Sequence, residues 1–181
     1  MFKRSIFFVY LFFTCVINAQ QWNFITTDCN MTIAISNETV ENGLITFDGQ
    51  EPPIGSLLGV FYINDSGEYS CAGYSPWTGS GMSIALNMSE AGFDNGFDNN
   101  EYINWFIEVD GQTFQSVFSS MSSDSPFSDL ACCNCFGQAI ELEFISAGCS
   151  DLNACNFCDE CDEFNNDLCV FPEFGYDCDG L

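Results

Sequence analysis

The stretch Tyr102-Ile103-Asn104-Trp105-Phe106-Ile107-Glu108-Val109-Asp110-Gly111-Gln112-Thr113-Phe114-Gln115-Ser116-Val117-Phe118 decides the fold. Two runs rich in β-branched and aromatic residues, Tyr102–Val109 and Thr113–Phe118, flank Asp110-Gly111. A type I′ turn needs positive φ at both central residues, which Asp-Gly tolerates, so the stretch predicts a β-hairpin. The same signature recurs outward from it. Further strands are predicted at Trp22–Thr27, Met31–Ser36, Leu44–Phe47, Leu57–Ile63, Tyr69–Tyr74, Met82–Asn87 and Ala139–Ile145. Asp48-Gly49 and Asn64-Asp65-Ser66-Gly67 supply turns between them. Ile140, Leu142 and Phe144 alternate with Glu141 and Glu143, the pattern of a half-exposed strand. No helical run of about ten residues or more interrupts the series. The expected fold is mainly β: a β-sandwich or jelly-roll-like domain over residues 20–146, with a Ser/Asp-rich loop at 119–129. The 20 Phe residues of the chain are expected to fill its core.

The amino terminus points to export. Lys3 and Arg4 precede the apolar run Ile6–Val16, and Ala19 supplies a small residue before a plausible cut. Residues 1–19 therefore read as a signal peptide, too short for a membrane span, and no later stretch predicts one. Lys3 and Arg4 are also the only basic side chains, and the sequence has no His. Beyond residue 19 the chain carries all 26 Asp and Glu residues with no Lys or Arg. Nucleic acid and anionic membranes are excluded as partners, because binding them depends on Lys and Arg at phosphates. Serine or cysteine nucleophiles would lack their usual imidazole base. Paired carboxylates are the only acid–base machinery, so an acidic hydrolase is the weakest of the readings. The natural counter-charge is a cation.

Cysteine usage agrees with an oxidising compartment. Setting Cys15 aside with the signal leaves Cys29, Cys71, Cys132, Cys133, Cys135, Cys149, Cys155, Cys158, Cys161, Cys169 and Cys178 as disulfide candidates. The count is odd, so one is free, bridges two chains, or pairs beyond the sequence. Residues 147–181 concentrate cysteines with almost no periodicity, which predicts a small, irregular, disulfide-rich unit. Cys155-x2-Cys158-x2-Cys161 has metal-ligand spacing, but the export signal favours disulfides there.

Two clusters offer hard oxygens for calcium. The first is the segment 94–101, with Asp94, Asp98, Asn100 and Glu101 around Gly96. The second is in the tail, with Asp159, Asp162 and Asp167. Neither follows the EF-hand order, and the plain alternative for both is a solvated acidic loop. Trp22, Trp77 and Trp105 are expected chiefly to anchor the core. The alternative makes Tyr74, Trp77 and Trp105 a stacking platform for an extracellular glycan.

The tail carries Gly148-Cys149-Ser150-Asp151-Leu152-Asn153-Ala154-Cys155-Asn156-Phe157, then Cys169-Val170-Phe171-Pro172, then Tyr176-Asp177-Cys178-Asp179-Gly180. It resembles a Cys-rich repeat, GC-x-D-x-x-AC-N-Y followed by YDC-D-G-x-C, found in large secreted or surface proteins of marine bacteria. Trp22, Leu58–Tyr62, Cys71–Trp77 and Gly96–Trp105 resemble, more loosely, the β-domain that often precedes such repeats. The pattern's last Cys would fall just past Gly180, so the repeat is expected to be truncated and the parent protein longer. The resemblance implies no catalytic activity. It implies a non-catalytic secreted or cell-surface module for adhesion, display or matrix spacing, joined to other domains of a larger protein; the acidic clusters add the expectation that calcium stiffens it. A carbohydrate-binding module is the alternative.

Overall fold

The computed structural model describes residues 22–146, 151–155, 157, 169 and 171. Its elements follow the order β1 (Asn30–Ile35), α1 (Asn37–Glu41), β2 (Ile45–Phe47), β3 (Leu57–Ile63), β4 (Tyr69–Pro76), β5 (Met82–Asn87), β6 (Asn104–Val109), β7 (Gln112–Met121) and β8 (Phe136–Phe144). The fold is mainly β, as the strand signals predict. The helix is a single turn, capped where the Ser36 hydroxyl accepts from the Thr39 N–H.

The hairpin forms as predicted. Asp110 and Gly111 hold φ of 52° and 82°, and Val109 pairs with Gln112 across the turn. From it the sheet extends in the order β4-β3-β6-β7-β8-β1-β5, with β2 added in parallel to the end of β8. Strand β7 is the corner. Gln112–Gln115 pairs with β6, whereas Ser116–Met121 pairs with β8. Register shifts between Ser116 and Phe118 and between Ser120 and Met121 bend it through the change of partner. The two ends of the path, β4 and β5, then pack against each other. The result is one eight-stranded, nearly closed sheet wrapped around its core.

That core is more aliphatic than the Phe count suggests. Met31, Ile33, Leu58, Val60, Ile84, Leu86, Ile107 and Leu142 are fully buried, with Trp77, Phe97, Trp105 and Phe144 as the large rings. Each such side chain contributes about 1.5–3 kcal/mol by leaving water. Many Phe residues lie elsewhere: Phe61 and Phe106 are on the other face of their strands, and Phe24, Phe93, Phe118 and Phe136 are exposed.

Three local expectations need correction. Trp22–Thr27 forms no strand; its Trp22 ring seats on Gly59 of β3 and its Phe24 ring packs on Tyr74 of β4. Ser119–Met121 belongs to β7, so the Ser/Asp-rich loop begins only at Ser122. Ile140 is exposed although its pattern places it inside. Ser120 pairs with Glu141 and Met121 with Ala139, so Ile140 is the extra residue of a bulge and its side chain turns outward.

Disulfides tie the chain where β1 begins and β8 begins. Cys29 bonds Cys133, and Cys132 bonds Cys135. The intervening Asn134 N–H donates to the Asn30 carbonyl, and the Thr32 N–H to that of Cys135. Cys155 and Cys169 are also disulfide-bonded. Cys71, one of the disulfide candidates, is a free thiol, half-buried on β4 opposite Phe61. Cys149, Cys158, Cys161 and Cys178 lie outside the described residues, as do the signal segment and most of the tail repeat. Among the described residues, no helix is long and apolar enough to cross a membrane.

Candidate functional site

Two places concentrate side chains capable of recognition. The first is an acidic recess beside the loop that follows β5. Its anchor is Phe97, fully buried, whose N–H donates to the Asn87 carbonyl while its own carbonyl accepts from Ser89. Gly96 makes this return tight: a Cβ there would come within 2.6 Å of the Asn87 carbonyl oxygen. Asn95 then closes the loop on Glu90, accepting from its N–H at 3.0 Å and donating to its carboxylate at 2.8 Å.

The recess encloses about 420 Å³, and Tyr62, Asp65, Glu90, Asp94, Asp98 and Glu101 contribute its polar wall. Its carboxylates already have work. The Asp94 carboxylate accepts from the Asp65 N–H at 2.7 Å. Glu101 spans two elements, accepting from the N–H of Ile63 at 3.2 Å and of Asp98 at 2.9 Å. Asp98 in turn accepts from the Ser89 hydroxyl. The Tyr62 hydroxyl donates to the Asp94 carbonyl at 3.2 Å. Burial, and then the Asp94 and Glu101 charges, push that phenol above its ordinary range.

Of the predicted calcium ligands, Asp94, Asp98 and Glu101 thus line one recess. Asn100 does not line it; it stands exposed at φ 66°, its N–H on the Ala131 carbonyl. Asp159, Asp162 and Asp167 lie outside the described residues. No three Asp, Glu, Cys or His side chains converge as a metal-ligand group among the described residues. Asp65, Glu90 and Tyr62 come to this recess from other segments, and their sequence positions carry no such signal.

The second place is aromatic, but Trp77 and Trp105 anchor the core as expected, which removes them from the alternative stacking platform. Trp77 and Trp105 are 1% and 0% exposed, so neither can stack on a sugar. Trp105 faces inward with Ile107 and Val109, as alternation along β6 requires, while Phe106 and Glu108 face the opposite side. Tyr74 does lie on that outer side, and there it meets other rings. Phe24 packs on Tyr74, Tyr74 on Trp22, Trp22 on Phe61, Phe61 on Phe106, and Phe106 on Tyr69, with centroids 4.4–5.9 Å apart. The Trp22 ring seats on Gly59, where a Cβ would come within 2.6 Å of a ring carbon. Its indole N–H reaches the Thr113 hydroxyl at 3.4 Å. The Tyr69 hydroxyl accepts from the Gln115 amide at 3.0 Å. The outward alternation of Phe106 with Glu108 was a usable signal for this face; the arrival of Trp22 over Gly59 was not.

Fold and sites together define a mainly β, disulfide-linked domain with an acidic recess on one side and an aromatic face on another. No family model, no curated protein and no solved structure matches the chain.

Proposed function

We propose that the chain is a non-catalytic module of a secreted or cell-surface protein, serving adhesion, display or spacing alongside other domains. The observation that carries this reading is the state of the carboxylates in the recess. Glu101 ties the 89–101 loop to β3, Asp94 ties it to the turn after β3 and Asp98 closes it on Ser89, which gives structural work to the groups best placed to act as acid or base. The absence of Lys, Arg and His beyond residue 4 removes the other common catalytic groups. The Cys29–Cys133 and Cys132–Cys135 bridges suit an oxidising compartment, and residues 1–19 have the form of an export signal. The resemblance of the tail to Cys-rich surface-protein repeats favours the same conclusion.

Calcium belongs to this proposal as a stiffener of the 89–101 loop. Asp65, Glu90, Asp94, Asp98 and Glu101 surround one recess with hard oxygens. An entering ion would share or displace the bonds that Asp94 and Glu101 accept from backbone N–H groups, Asp98 from the Ser89 hydroxyl and Glu90 from the Asn95 amide.

The module reading is tested by incubating the oxidised chain with panels of polysaccharides, peptides and esters. No product above the blank is expected. Turnover that disappears in Glu101→Gln or Asp94→Asn would sink the reading. Thermal unfolding in millimolar calcium, against magnesium at matched ionic strength, tests the ion separately. A calcium-specific rise in midpoint is expected from binding to the folded state. Equal midpoints would remove calcium and leave the module.

A further inference from the structure

The aromatic face is the feature that the fold itself does not require. A continuous row of six rings, Phe24, Tyr74, Trp22, Phe61, Phe106 and Tyr69, crosses the outer side of the β4-β3-β6-β7 half of the sheet. Large rings are most effective at filling a core, yet none of these belongs to it. Phe61 and Phe106 form a buried lower tier, 7% and 9% exposed. Phe24 and Tyr69, at opposite ends of the row, remain 40% and 46% exposed.

Polar groups are set among the rings. Gln115 and Thr113 stand on β7 beside them, each already touching a ring substituent. Glu108 shares the outer side of β6 with Phe106, and its carboxylate keeps a narrow contact with water through which a hydroxyl donor could reach it.

We propose that this face binds a neutral, hydroxyl-rich glycan. The proposal rests on the surface-module reading and names its partner class. The apolar C–H faces of pyranose rings suit exposed aromatic surface, and their hydroxyls supply donors for Glu108 and for the free amide oxygen of Gln115. Charge selects against anionic occupants and against a second copy. Without a basic residue beyond residue 4, the face cannot neutralise an anionic polysaccharide. A second copy would bring the same net charge of about −24 against itself.

The test is a glycan array of neutral and anionic polysaccharides probed with the full oxidised chain, followed by native electrophoresis through gels containing each hit. Binding to at least one neutral glycan is expected, with none to alginate. The Phe24→Ala/Tyr69→Ala double variant removes two exposed rings and should stay folded, with only a modest fall in unfolding midpoint from the lost contacts to Tyr74, Phe106 and Gln115. Its association constant should fall at least about tenfold, since truncating aromatic anchors is costly. Phe136→Ala, an exposed ring on β8, should bind as the parent does. The proposal is overturned by an array with no neutral hit, by equal retardation of the double variant, or by a dimer that this double variant dissolves. Release of reducing ends from the bound glycan would overturn the non-catalytic reading and leave the platform standing.

Discussion

Gly73 in β4 lies against the backbone of Ala85 in β5 so closely that a Cβ on Gly73 would sit 2.0 Å from the Ala85 carbonyl oxygen. This contact is where the sheet nearly closes. No ladder joins β4 to β5. The buried Asn87 side chain does the joining: its amide donates to the Ala72 carbonyl at 2.7 Å, and its oxygen accepts from the Thr27 N–H at 3.2 Å.

Gly73→Ala should therefore force the two strands apart. Overpacking of this kind costs about 1–3 kcal/mol, read as a lower urea midpoint. Asn87→Ala should cost about 2 kcal/mol or more, because it strands a buried carbonyl and a buried N–H together. Unchanged midpoints in both variants would mean that the seam contributes nothing to stability.

The Cys29–Cys133 bridge closes a separation of 104 residues, and the chain-entropy account makes long loops the most valuable to close. Replacing both cysteines with Ala should cost about 2–4 kcal/mol in urea unfolding under oxidising conditions. Cys71 behaves oppositely. Burial pushes its thiol up to about 11, so little thiolate exists at pH 8. Peptide mapping after iodoacetamide treatment at pH 8 should show Cys71 modified at least about tenfold more slowly in the native chain than in urea. Equal rates would contradict its half-buried place on β4.

Local signals carried most of the fold, and tertiary ones did not show through. Asp110-Gly111 fixed a hairpin because turn chemistry is written in adjacent residues. Ile140 was misread because a bulge is a relation between two strands, and period-2 alternation assumes none. Trp22–Thr27 has strand composition, but its destination is Gly59 and Tyr74, set by residues far along the chain. The recess was half legible. Asp94, Asp98 and Glu101 are sequence neighbours, whereas Asp65, Glu90 and Tyr62 join them only through the return of Phe97 to Asn87. For Trp105, the polar Glu108 three residues on already implied that Phe106 shares its outward side, leaving Trp105 inside.

Glu101 is the strut between β3 and the recess loop. Glu101→Ala removes the acceptor for two backbone N–H groups, those of Ile63 and Asp98, and should cost about 1–3 kcal/mol. Hydrogen exchange should speed up at both amides while the Asn87-bonded amide of Phe97 keeps its protection. Loss of protection across the whole loop would mean that Glu101, and not Phe97, anchors it.

Glu108 gives the chain a pH dependence of unusual sign for a carboxylate. Burial raises its pKa in the folded state above the unfolded value of about 4.3. Between those two values the folded chain keeps a proton that the unfolded chain has lost. Its contribution to stability is therefore fully present below about pH 4 and is lost as pH rises through the folded pKa. At neutral pH the partial desolvation of the charged carboxylate opposes folding. Glu108→Gln keeps the shape and removes the charge. It should raise the unfolding midpoint at pH 7, and the advantage should shrink to nothing as pH falls to about 4. General acid effects on the other carboxylates act equally on both proteins and cancel in the difference. A midpoint difference that stays constant across this range, or a variant less stable than the parent at pH 7, would show that Glu108 finds a donor in the folded chain.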